Sequence, residues 1–211
     1  MLFRALALLL AASSAAASPA PAALFDAHGC RACHKLGPRG GNAGPDLTMV
    51  GHRRPKAWLE KWLASPRAYK HDTEMPEQGL SVSDRSALAE FLSAQKGQAW
   101  TKSRPWMASG DGRTIYVRAG CVACHGPAGR GGHPNPGAHG DVIPALVPLM
   151  GTYTKDELIW KLRRGVVPEI HGGPPADVDM PGWAGVLDES ELGALADYLL
   201  TLAKNDPKDD F

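Results

Sequence analysis

At 211 residues the chain is long enough for one or two domains with a substantial core, and 44% apolar with 21% charged residues excludes a disordered or multi-pass membrane chain. Lys and Arg total 23 against 22 Asp and Glu, a balance that argues against a strongly basic nucleic-acid binder. Only 7% is aromatic, whereas Gly (24) and Pro (18) together make up about a fifth of the chain, so much of it is expected to be irregular loop.

Residues 1–20 begin with Arg4, continue through the apolar Ala5–Ala12 and end in small residues around Ala15–Ser18. These are the three regions of a secretory signal peptide, with cleavage expected near Ala17 to Ala20. The apolar run is shorter than the ~20 residues that span a bilayer, and no later segment is more apolar. The mature chain is therefore expected in the periplasm, without a transmembrane segment and where free thiols tend to oxidise.

The remainder repeats. Cys30-Arg31-Ala32-Cys33-His34 has its counterpart in Cys121-Val122-Ala123-Cys124-His125, each preceded by a glycine and, five places before its first cysteine, by Phe25 or Tyr116. Gly44-Pro45-Asp46-Leu47 matches Ile143-Pro144-Ala145-Leu146. Helical stretches follow, from Pro55 to Leu63 and from Thr154 to Leu162, with Pro55 and Thr154 suited to a helix start. Met75-Pro76 and Met180-Pro181 come next. Each copy closes on a helix with a cap pattern, Ser81-x-x-Asp84 and Asp188-x-x-Glu191. This predicts an all-α protein of two units, 21–95 and 111–203, joined by a linker at 96–110 and ending in a tail at 204–211. Trp100 and Trp106 in that linker are expected to pack against a unit.

C-x-x-C-H is the signature of covalent c-type haem attachment. The thiols of Cys30, Cys33, Cys121 and Cys124 would join the haem vinyl groups, and the imidazoles of His34 and His125 would face the iron. A zinc site wants its cysteine pairs closer together, a thioredoxin-like motif wants strands, and disulfides leave the paired histidines unexplained. Pro45 and Pro144 sit where a carbonyl could accept the other ring N–H of each histidine. The soft thioethers of Met75 and Met180, at matching positions and stiffened by the following proline, are the candidate sixth ligands. Met49 and Met150 are read as packing residues. His71 is the rival ligand in the first unit, and His133, His139 and His171 lie in loops of the second. His28 is expected to face solvent.

These residues together resemble the class I cytochrome c family in a tandem, two-haem form. The resemblance implies two small helical domains, each wrapped around one haem c, with crossing first and last helices, His/Met ligation and one-electron transfer. It also makes Arg53, Arg54, Trp58 and Trp160 candidates to touch haem propionates or the haem edge, with an ordinary helix-packing or surface role as the other reading for each. The chain departs from the family pattern in the few mature residues before Phe25, which shorten the opening helix, and in the expanded loops 126–141 and 165–179.

The expected function is electron carriage between a protein donor and acceptor, with a membrane-bound respiratory complex at one end, rather than catalysis. A haem enzyme of the peroxidase or sulfur-compound dehydrogenase type is the alternative, but it needs an exchangeable iron position, and all four cysteines are already committed to attachment. From Pro21 to Trp100 there are 11 basic and 8 acidic side chains, and beyond Trp100 there are 11 and 14. The chain is thus polarised from +3 to −3 along its length, which suits electrostatic steering between two partners.

Overall fold

Helices and turns account for the regular structure: ten α-helices and three 3₁₀ turns among the described residues, with three isolated bridges and no strand. The structure, a computed structural model, describes residues 20–100, 104–107, 109–168 and 173–203. The expected signal segment up to residue 19, the tail 204–211 and His171 lie outside the described residues. No described helix is long and apolar enough to cross a membrane.

The first unit contains α1 (Pro21–Ala27), a 3₁₀ turn at Cys30–Ala32, α2 (Val50–Arg53), α3 (Lys56–Ala64), α4 (Pro66–Tyr69) and α5 (Val82–Ser93). Pro21 opens α1 with a preset φ, and the helix runs for seven residues. Ser81 caps α5 by accepting a hydrogen bond from the Asp84 N–H at 3.0 Å, satisfying one of the orphan donors of a helix start. Both α1 and α3 pack on α5. Leu24, Phe25, Leu59, Leu88, Ala89 and Leu92 meet there as one buried cluster.

The second unit contains α6 (Gly112–Arg118), α7 (Val122–His125), 3₁₀ turns at Pro127–Gly129 and His139–Asp141, α8 (Val147–Met150), α9 (Lys155–Arg164) and α10 (Glu189–Leu202). Full capping boxes start α9, through Thr154 and Glu157, and α10, through Asp188 and Glu191. The first and last helices, α6 and α10, pack on each other. Gly112 permits this, because a Cβ there would run into the Ala194 carbonyl and lie 2.8 Å from the Tyr198 Cβ. Leu192 and Leu195 are wholly buried in the resulting core, each contributing about 1.5–3 kcal/mol of burial.

Trp100 and Trp106, between the units, are built into the second core. Trp106 is 1% exposed, donates its Nε1–H to Glu191 at 2.6 Å and meets Trp100 edge-on at 5.1 Å. Met49 of the first unit is buried in the same cluster. The units also touch through side chains. Arg118 donates to the Asp46 carboxylate at 2.6 Å, Lys61 lies 3.5 Å from Asp177, and His52 meets the Gly182 carbonyl at 3.1 Å and the Trp183 ring at 4.7 Å.

Candidate functional site

In the first unit the chain after Gly29 turns tightly enough for the His34 N–H to reach the Cys30 carbonyl at 2.9 Å. Cys30, Cys33 and His34 are thereby gathered on one short segment. His34 Nδ1 lies 2.8 Å from the Pro45 carbonyl. Gly44 makes that approach possible, since a Cβ at this position would sit 2.6 Å from His34 Nδ1. Met75 packs against the first core, where Trp62 donates its Nε1–H to Met75 Sδ at 2.9 Å. Trp62 stacks on Trp58 at 5.3 Å, Tyr69 and Trp58 meet edge-on at 5.4 Å, and the Arg54 guanidinium lies over the Trp58 ring at 4.3 Å. Two polar atoms of this group, Tyr69 Oη and Arg54 Nη1, are buried without a partner among the described residues. His71 is exposed, and His28 ends α1 at 4.0 Å from Asp84.

In the second unit α7 carries Cys124 and His125 directly after Cys121. His125 Nδ1 lies 3.4 Å from the Pro144 carbonyl, a longer contact than in the first unit. A cavity of about 410 Å³ opens beside the helix, bordered by Cys121, Cys124 and His125 and also by Met180. Its volume falls within the ~300–1,000 Å³ common for ligand pockets. Met180 is held by paired backbone hydrogen bonds with Val166, both 2.9 Å. Tyr116 lines the cavity and donates its hydroxyl to the Gly126 carbonyl at 2.7 Å.

The two expanded loops form part of the wall. Buried Asn135 clasps them, donating to the Val178 carbonyl at 3.0 Å and accepting from its N–H at 3.1 Å. Nothing in the sequence singled out Asn135, because its importance depends on two loops some forty residues apart meeting. Met150, read as packing, is 4% exposed and also lines the cavity. His139 borders it from an exposed position, and His133 is half-buried. Trp160 is not among the lining residues. It is 57% exposed with the Arg164 guanidinium 5.1 Å over its ring, the surface role that stood beside a haem contact in the sequence reading.

Protonation favours ligation. Burial lowers the affinity of His34 and His125 for protons below the ordinary value of 6.5, outweighing the opposing effect of the Pro45 and Pro144 carbonyls. Both rings are neutral at pH 7, the form a metal requires. Burial pushes the Cys30 thiol up and the Cys121 thiol up to about 12. Neither resembles the low-pKa thiolate of a catalytic cysteine. Among the described residues no group of three or more His, Cys, Asp and Glu side chains forms a separate metal site.

Against this geometry, the cytochrome c family model matches twice, over residues 20–96 and over residues 109–203. The chain belongs to the cytochrome c family. No curated protein and no solved structure matches. Each of its two cytochrome c units binds one covalent haem c with its iron, and haem-based electron transfer is the family's work. The residues present suit the group. Thiols stand three places apart beside a neutral imidazole in both units, and the second unit offers an apolar cavity next to them. The buried, unpartnered nitrogen of Arg54 suits a haem carboxylate.

Proposed function

We propose that this cytochrome carries single electrons between redox proteins of the periplasm and its membrane, through two haems each ligated by histidine and methionine. When bound, haem supplies a one-electron couple at its iron. His34 and His125 act as neutral imidazole ligands, and the carbonyls of Pro45 and Pro144 accept the Nδ1 proton and orient each ring. Met75 and Met180 would supply a thioether to each group. The Trp62 N–H orients the Met75 sulfur, and the backbone pair with Val166 steadies the Met180 loop. Cys30, Cys33, Cys121 and Cys124 hold the two groups covalently.

The observation that carries this reading is the cavity of the second unit, bordered by His125 and Met180 together. With both iron positions filled by protein ligands no exchangeable site is left, which favours a carrier over an enzyme. Residues 1–20 act as the export address, and donor and acceptor, one of them a membrane-bound respiratory complex, dock at the two units. The test is spectroscopic. The holoprotein is expected to give a methionine-to-iron charge-transfer band from both haems, and Met75→Ala and Met180→Ala are each expected to abolish one band and lower one midpoint potential. Unchanged spectra would refute the ligand assignments, and a high-spin, five-coordinate haem in the native protein would refute the carrier.

A further inference from the structure

The first unit grips the chain on both sides of Met180. Ahead of it, Lys61 of α3 lies 3.5 Å from Asp177. Beyond it, His52 of α2 meets the Gly182 carbonyl at 3.1 Å through Nε2 and sets its ring edge-on to Trp183, with 4.7 Å between the ring centres. A carbonyl oxygen only accepts, so Nε2 carries the proton and donates it to Gly182.

These contacts close a loop that the second unit fixes from one side. On that side Met180 exchanges two backbone hydrogen bonds with Val166, and the Trp183 N–H donates to the Leu162 carbonyl at 2.9 Å. Gly182 presses so closely on the end of α9 that a Cβ there would stand 2.7 Å from the Arg163 carbonyl. The Gly182 carbonyl, by contrast, finds its donor in the other unit. Trp183 is 2% exposed and lines the cavity together with Met180, so the ring that His52 touches is also a piece of the cavity wall. Of the two grips His52 is the stronger. Lys61 is 60% exposed, and an ion pair that open to water contributes little. His52 is half-buried, where a carbonyl that loses its donor is poorly compensated by solvent. Met75 needs no such help, because Trp62 of its own unit donates to its sulfur.

We propose that His52 of the first unit positions Met180 for the second unit's iron by latching residues 180–183, so that the second haem site is complete only when the two units are docked. The inference rests on the reading that Met180 is a ligand of that iron. His52 acts through Gly182 and Trp183, as a positioning residue. Met180 cannot swing away without dragging Gly182, two residues on, and the intervening Pro181 leaves that backbone little slack. The His52 bond is therefore lost when the methionine leaves, and its strength adds to the strength of ligation.

The experiment is titration of the oxidised two-haem protein with imidazole, following the methionine-to-iron band of each haem, the bands being assigned by Met75→Ala and Met180→Ala. His52→Phe keeps a ring against Trp183 and loses the donor. It is expected to let imidazole displace the second methionine at a concentration about three- to tenfold lower, the equivalent of one hydrogen bond, with the first band unchanged. His52→Gln places an amide N–H close to where Nε2 stood and is expected to return the second band to within about twofold of native. His52→Leu carries the same test if the phenylalanine variant does not mature. The inference is overturned if the variant without the donor releases the second methionine at the native concentration, if the first band shifts as far as the second, or if glutamine behaves as phenylalanine does. A Met180→Ala protein that keeps both bands refutes the ligand reading instead, and that result is seen before His52 is changed.

Discussion

Asp46→Ala should loosen the junction between the two haem units, and the structure sets how much. The Asp46 side chain is 4% exposed and that of Arg118 20%, so removing the carboxylate strands a largely buried cation. Losing one partner of a buried pair costs about 3–5 kcal/mol. Partial rehydration of Arg118 places this case near the lower end, about 3 kcal/mol. Two further hydrogen bonds from Thr48, at 2.8 and 2.6 Å, add about 1 kcal/mol each. Alanine is therefore expected to cost about 4–5 kcal/mol, a large share of a typical total stability. Asparagine, which still accepts from Thr48, should cost about 2–3 kcal/mol. The assay is equilibrium urea unfolding of the oxidised holoprotein in a double-mutant cycle with Arg118→Met. A coupling energy of about 2 kcal/mol is expected between the two positions. A coupling below about 0.3 kcal/mol, the level found between independent sites, would refute the claim that this pair joins the units.

Other outcomes follow from the same contacts. Burial holds the folded-state pKa of His52 below 6.5 despite the Gly182 carbonyl. The unfolded chain thus takes up the proton first, and stability present above pH 6.5 should be lost as the pH falls from there through the folded pKa. Comparing native protein with His52→Asn in unfolding from about pH 7.5 to 5 should remove this part of the slope; equal slopes would exclude it. Gly44→Ala drives a Cβ to within 2.6 Å of His34 Nδ1 and should break the Pro45 contact. It is expected to weaken His34 binding to the first iron by roughly 10- to 100-fold, read as easier displacement by added imidazole at the first haem alone. Tyr116→Phe leaves the buried Gly126 carbonyl without its 2.7 Å donor and should destabilise the protein by about 1–3 kcal/mol in urea unfolding.

Much of the architecture is local and therefore readable from residue order. Ser81, Thr154 and Asp188 cap helices because each bonds a backbone N–H three residues ahead, an interaction that needs no knowledge of the rest of the fold. The haem motif is equally local, since thiols and imidazole fall within five consecutive residues. Repetition extended the reading, pairing Pro45 with Pro144 and Met75 with Met180 by their place in each copy. Trp160 marks the limit of that reasoning. Family resemblance made it a candidate for the haem edge or for an ordinary surface place, but a side chain on a helix can face either way, and α9 turns this one to solvent.

By itself the sequence determined two helical units, where the middle and closing helices of each begin, and the chemistry of covalent haem attachment, because these depend on neighbours along the chain. Only the tertiary structure decided which residues border a cavity together. Arg53 and Arg54 are consecutive, yet Arg54 lies over Trp58 of its own unit while Arg53 enters the other unit's cavity. Asn135 reaches Val178 only because two loops close on each other. Side-chain direction and long-range approach are set by how burial and paired charge are satisfied across the whole molecule, and no spacing within a segment encodes that balance.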